Sequence, residues 1–152
     1  MSTPMSAARS LDAVSATAHG NTLAAPIVAL GRTLFSLIFL MAGPSHFSPA
    51  SIGYAAHAGV PFAGFLVPAS GILAAVGGLS VMLGYRARLG AWLLVVFLVP
   101  VTLMLHNFWA VSDPMMRAMQ MAMFMKNLGL LGGALLITQL GAGPGSLDSR
   151  RA

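Results

Sequence analysis

Apolar and polar residues fall along this chain in long blocks. Four apolar blocks run about Pro26–Gly43, Phe62–Tyr85, Leu89–Asn107 and, after the Asp113-Pro114 step, Met119–Leu140. As helices rising about 1.5 Å per residue, each comes close to matching a hydrocarbon core roughly 30 Å thick. Pro26 suits a helix start and Gly43-Pro44 a stop. Asp113 followed by Pro114 reads as an N-cap and first helical residue. Pro68 and Pro100 lie inside the second and third blocks, where membrane helices tolerate proline with a kink. The pattern predicts an all-α fold, an integral membrane antiparallel four-helix bundle with short loops such as Tyr85–Arg88. Residues 1–25, rich in Ala, Ser and Thr, read as a flexible N-terminal tail. Residues 26–148 read as the four-span domain and 149–152 as a short C-terminal tail.

Composition agrees. Hydrophobic residues make up 57% and charged ones 7%, against about 25% charged in a soluble domain, so a soluble globular protein is excluded. The net charge of +5 rests on eight scattered basic residues; that excludes a nucleic-acid patch and points to membrane topology. With no cysteine, disulfide and thiolate-metal chemistry within the chain is excluded. An even number of spans puts both ends and the second-to-third loop on one side. That side holds Arg9, Arg86, Arg88, Arg150 and Arg151, and the other loops hold only Arg117. The positive-inside rule then predicts cytoplasmic termini of a multi-pass membrane protein.

The fourth block carries Lys126 and Asn127. A cation at that depth costs about 2.5–3.5 kcal/mol unless it snorkels or is paired. Ala122, Lys126, Gly129 and Gly133 follow a 4-3-4 rhythm and share a helix face, and Gly129 and Gly133 form a GxxxG. This face is expected to point at neighbouring helices, with Gly71, Ala74, Ala75 and Gly78 as its small-residue partner. The plainer reading is a snorkelling lysine. The topology gathers Lys126, Asn127, His106 and His46 toward one end as a candidate outer-side polar site. A quinone is the possible cofactor there, with Lys126 stabilising negative charge on an oxygen and a histidine relaying a proton.

Other residues have plainer readings. His46, His57 and His106 match no compact metal motif and read more simply as interfacial histidines, so no metal site is expected. Met115, Met119 and Met123 form a stripe that suits packing better than Cu(I). Arg32 lies about 9 Å into the first helix. It is expected to form a structural ion pair with Asp148, or to bind carbonyls near Gly141–Ser146, with snorkelling as the alternative.

Several short runs occur in a characteristic order: L-G-R at Leu30–Arg32, F-L-M-A-G-P-S-H-F at Phe39–Phe47, G-V-P at Gly59–Pro61, G-G-L…L-G-Y-R-A-R at Gly77–Arg88, F-M-K-N at Phe124–Asn127 and G-A-G-P-G-S-L-D at Gly141–Asp148. Together, over about Ala29–Asp148, they resemble the DoxX family. The resemblance implies a small four-helix bacterial inner-membrane protein related to DoxD of thiosulfate:quinone oxidoreductase, with redox-enzyme subunits as partners. Many such relatives carry Glu at the position of Ala74 and lysine at that of His46. Three functional classes follow. The chain is a subunit or partner of a quinone-linked oxidoreductase or redox-stress complex, a small-anion or weak-acid transporter, or a non-catalytic membrane anchor. Its partners are membrane lipid and, through the glycine faces, either its own helices or a homo-oligomer; nucleic acid is not among them.

Overall fold

A computed structural model describes residues 23–151. Among these, every regular element is helical: α1 Ala24–Ala42, α2 Pro49–His57, α3 Ala63–Leu83, α4 Ala87–Leu105 and α5 Pro114–Leu140, with short 3-10 turns at Gly43–Phe47, Phe108–Ala110 and Asp148–Arg150. The spans α1, α3, α4 and α5 are each long and apolar enough to cross a membrane. Only 17–33% of each span's apolar stretch is buried within the protein, so lipid must cover the rest. The chain is thus an antiparallel four-helix membrane bundle. Most of the expected tail over residues 1–25, with Arg9 and Asp12, lies outside the described residues.

Helix boundaries follow local chemistry. Pro114 opens α5, and the Asp113 carboxylate accepts from the Met116 N–H at 2.8 Å, as the Asp-Pro step predicts. The short α2 lies between the apolar blocks and is marked by none of them. It starts at Ser48-Pro49, where the Ser48 hydroxyl accepts from the Ser51 N–H at 3.2 Å. Small residues leave α2 with little hydrophobic pattern, so its cap is the clearer signal.

The packing order is α1 on α3, α3 on α4, and α4 on α5. Phe39, Ala74, Val81, Ala91, Leu94, Phe97, Leu98 and Ala134 form a thin shared core. The small face of α3 serves these neighbours, not α5 as expected. Gly77 lies against Gly90 and Leu94 of α4, and Gly78 against Ser36 and Phe39 of α1. Between α1 and α5 the main bridge is a side chain, Phe35, which rests on Gly133.

One end of the bundle is tied by residues 141–151. Arg32, 6% exposed, donates to the carbonyls of Ala142, Pro144 and Gly145. Gly143 and Gly145 have φ of 68° and 70°, a left-handed backbone that glycine adopts freely; it lets these carbonyls converge on one guanidinium. The expected ion pair of Arg32 with Asp148 is therefore corrected to carbonyl ligation. Asp148 is engaged elsewhere: its two carboxylate oxygens accept from the Arg86 and Ala87 N–H groups at 2.8 and 3.0 Å. It caps α4, whose N-terminal dipole favours a negative charge. The Leu147 and Asp148 N–H groups donate to Leu83 and Gly84 carbonyls at the end of α3. Ser149, expected in the tail, exchanges hydrogen bonds with Ser146.

This clasp is expected to carry measurable stability. Asp148→Ala should cost about 1–2 kcal/mol, the range for a lost N-cap near a helix dipole, and Asp148→Asn less. Thermal unfolding in mild detergent measures both; equal midpoints for all three proteins would mean that the cap contributes nothing.

Candidate functional site

The opposite end of the bundle is open inside. A chamber of about 420 Å³ lies between α1, the Gly43–Phe47 turn, α2, α3, α4 and α5. A dry cavity of about 150 Å³ is enough to hold a benzene. His46, His106, Lys126 and Asn127 all line it. Its floor is apolar, with Phe39, Phe97, Leu98 and Leu130.

His46 arrives on the 3-10 turn after α1. Its Nδ1 lies 3.0 Å from the Ala42 carbonyl; a carbonyl only accepts, so Nδ1–H donates and the neutral ring keeps its lone pair on Nε2. The ring packs edge-on against Phe97 with centroids 5.6 Å apart. Close seating of this turn depends on Gly71, where an added Cβ would lie 2.7 Å from the His46 Cβ.

His106 terminates α4 and is fixed by a chain of side chains. The Tyr54 hydroxyl donates to the Leu105 carbonyl at 3.2 Å and accepts from Gln120 Nε2 at 2.9 Å. Gln120 Oε1 therefore faces His106 Nδ1, 2.8 Å away, and Nδ1 carries the hydrogen. Both histidines thus hold the same tautomer, each with its Nε2 lone pair uncommitted in the neutral form.

Asn127 is 5% exposed and lines the chamber. Among the described residues no protein group hydrogen-bonds its amide. Its amide atoms are not sealed from solvent, so the chamber is where water or a ligand can reach them.

Lys126 corrects the expected geometry. It is exposed, and it lines the chamber from the edge. The buried face of α5 is that of Asn127, Ala134 and Thr138; the stripe through Ala122, Lys126, Gly129 and Gly133 lies to one side. Gly129 has nothing within 4 Å of an added Cβ, so that half of the GxxxG packs against nothing in the chain. Lys126 lies about 18 Å from the Pro114 end and about 21 Å from the Leu140 end, at about 1.5 Å per residue. Its charge therefore emerges near mid-helix at the chamber's edge.

The remaining candidates lie elsewhere. His57 is exposed at the end of α2 and lines no part of the chamber. Met115, Met119 and Met123 are exposed at 77%, 54% and 38%, so the stripe does not fill the core as the packing reading held. Among the described residues no three His, Asp or Glu side chains cluster as metal ligands. Sequence reasoning missed Tyr54, Ser51 and Gln120. Gln120 was findable: Gln120, Asn127, Ala134 and Thr138 recur at 7-7-4, which marks the true inward face.

Four apolar spans around a largely apolar chamber that holds a few polar side chains define a multi-pass membrane protein with a candidate site at its open end. Residues 66–152, more than half the chain, match the SURF4 family model, and the chain belongs to that family. It is also 30% identical over 123 residues to inner membrane protein YqjF of Escherichia coli (strain K12), covering 80% of this chain and 88% of that protein. These likenesses and the four spans make it a multi-pass inner-membrane protein. No solved structure matches it. The DoxX resemblance is overturned, since the matches assign the chain to SURF4. Several of the quoted runs place Gly, Pro and Arg at helix ends, as at Gly43-Pro44, Gly84–Arg88 and Gly141–Asp148, a pattern that tight turns between spans favour in any lineage.

Gly71→Ala is expected to displace the His46 turn and lower stability by about 1–3 kcal/mol, as overpacking does. Gly129→Ala meets open space and should be neutral or slightly stabilising. Paired thermal unfolding checks this; equal effects at the two positions would show that the turn is not seated on Gly71.

Proposed function

We propose that this chain is a membrane-embedded binding protein whose chamber receives the polar head of a lipid-soluble quinone, working as a subunit or partner of a quinone-linked oxidoreductase or redox-stress complex. The observation that carries this reading is the amide of Asn127, which opens onto the chamber beside Lys126 and two histidines of fixed tautomer and has no protein hydrogen-bond partner among the described residues. A quinone carbonyl accepts hydrogen bonds, and Lys126 and Asn127 are donors. The hydroxyls of the reduced form donate, and the two neutral Nε2 atoms accept. One set of four side chains thus suits both oxidation states, with electrons exchanged through a partner. The apolar floor suits a flat ring. The same reading puts the clasp end in the cytoplasm, supported by Arg86, Arg88, Arg150 and Arg151 against Arg117 at the other end.

A second reading, carriage of a small anion or weak acid, is favoured by a different observation. Asp113 and Asp148 both cap helices, so among the described residues Lys126 has no carboxylate partner. Flux of a weak acid into proteoliposomes without an electron donor would support it.

Lys126→Met is expected to weaken binding of a short-chain quinone at least about tenfold, since a hydrogen bond to a charged group contributes about 1.5–3 kcal/mol. Quenching of tryptophan fluorescence in mild detergent reads the affinity. Unchanged affinity in the variant, with no quinone retained on gentle purification, would exclude the quinone site.

A further inference from the structure

A second cavity, of about 320 Å³, lies in the cleft between α3 and α4 at the chamber end. It is roughly twice the volume that holds a benzene in a dry cavity of about 150 Å³. Leu66, Ala69, Leu73, Val96, Pro100 and Met104 line it. Its one polar side chain is Ser70, whose hydroxyl donates to the Val67 carbonyl at 2.7 Å, so the cleft offers a ligand no free side-chain donor. Pro100 helps to open it, because proline cannot donate to the helix ladder and clashes with the preceding turn. Leu66 and Val96 are 41% and 57% exposed, which leaves the cleft open on the side of the bundle that lipid covers.

The cleft adjoins the chamber. Ala55, Val67, Ser70 and Phe97 line both, so a single layer of side chains divides them. Phe97 is held between Phe39, at 6.1 Å, and His46, at 5.6 Å. Ala55 and Ser70 are small, and there the divide has little side chain to cross.

We propose that the α3–α4 cleft seats the hydrocarbon tail of the molecule whose polar head occupies the chamber. The ligand is then a single-tailed amphiphile, an oxygen-rich head carrying one isoprenoid or alkyl chain, rather than a small water-soluble molecule. Chamber and cleft divide the chemistry as such a molecule does. Donors and lone pairs gather around Lys126, Asn127, His46 and His106, and bare hydrocarbon surface lies one residue layer away. The tail adds selectivity through shape, because ordinary lipid already offers it an apolar environment. The inference rests on the chamber binding a quinone-like head, and its test separates the two.

Two probes are used on the full chain in nanodiscs: a dimethoxy-methyl-benzoquinone head alone, and the same head with a decyl tail bearing a diazirine. Ala69→Trp fills the cleft without touching the chamber. It should weaken the tailed probe about tenfold and leave the head-only probe within about twofold. Val96→Trp, at the exposed rim, gives the same reading should Ala69→Trp not fold. Photolysis should label α3 and α4 at Leu66, Val96 or Met104. Lys126→Met should weaken both probes. If Lys126→Met weakens both probes but the cleft variants affect neither and labelling falls outside α3 and α4, the tail site is overturned and the head site stands. If Lys126→Met affects neither probe, the head site falls, and the tail site with it.

Discussion

The structure is governed by how a chain with almost no acids keeps cations inside a bilayer. An unpartnered charge at that depth is costly, and the two described carboxylates are both committed to backbone N–H groups at helix starts. Asp113 holds the first turn of α5 and Asp148 that of α4. Among the described residues neither forms a direct ion pair with a side chain within the spans. Arg32 and Lys126 are therefore placed without a paired carboxylate, and in opposite ways; the two terminal nitrogens of Arg32 find carbonyls while its Nε stays buried without a partner. Arginine's planar fork can be satisfied by carbonyl dipoles alone, and the glycine-rich run after α5 supplies three of them. Lysine's compact ammonium is strongly hydrated, and the protein leaves it at the edge of a polar chamber.

These two solutions give the bundle its polarity. At the Arg32 end, one short segment touches the side chain of α1, the last carbonyls of α3 and the first N–H groups of α4, and it is itself the continuation of α5. All four spans are thereby fixed where they converge. At the other end the chain inserts a turn and the short α2 between α1 and α3, which wedges the bundle apart. Gly71 lets the turn seat closely enough for His46 to reach inward, and α2 brings Ser51 and Tyr54 to the chamber wall. The aromatic cluster of Phe108, Trp109 and Phe124, with centroids 5.3–5.7 Å apart, braces the start of α5 against the turn beside it.

The four spans were legible because bilayer thickness imposes a length and composition that few other constraints can mimic. The Asp113-Pro114 cap and the alternative of carbonyl ligands for Arg32 were legible for the same reason: each answers a local need for partners. The GxxxG of α5 is a poor guide to its inner face, since Gly133 meets Phe35 while Gly129 meets nothing. Small residues permit close approach without requiring it, whereas Gln120, Asn127 and Thr138 each need a protein or chamber environment and therefore mark the inner face more surely. The short α2 was illegible to a hydrophobicity argument, since Ala, Ser and Gly carry little pattern. Lys126, Asn127, His46 and His106 could be grouped from topology and depth. The Tyr54–Gln120–His106 chain could not, because its members come from three elements whose juxtaposition is a tertiary fact.

Exposure of Lys126 does not dissolve the chamber, because the inward boundary is drawn by its neighbour. Asn127 is 5% exposed, lines the same cavity and has no protein hydrogen-bond partner among the described residues, so the chamber keeps a polar group whichever way the lysine swings. A chamber of about 420 Å³ has room for roughly a dozen waters at about 30 Å³ each. Water can satisfy Asn127 and the two imidazole lone pairs, yet it gains nothing from Phe39, Phe97, Leu98 and Leu130 on the floor. On the proposed reading, a head that combines a flat apolar ring with a few oxygens would satisfy both surfaces at once. Lys126, at the rim, can follow such a head inward or remain hydrated outside. The same exposure that removes it from the core thus lets it answer the charge of whatever enters.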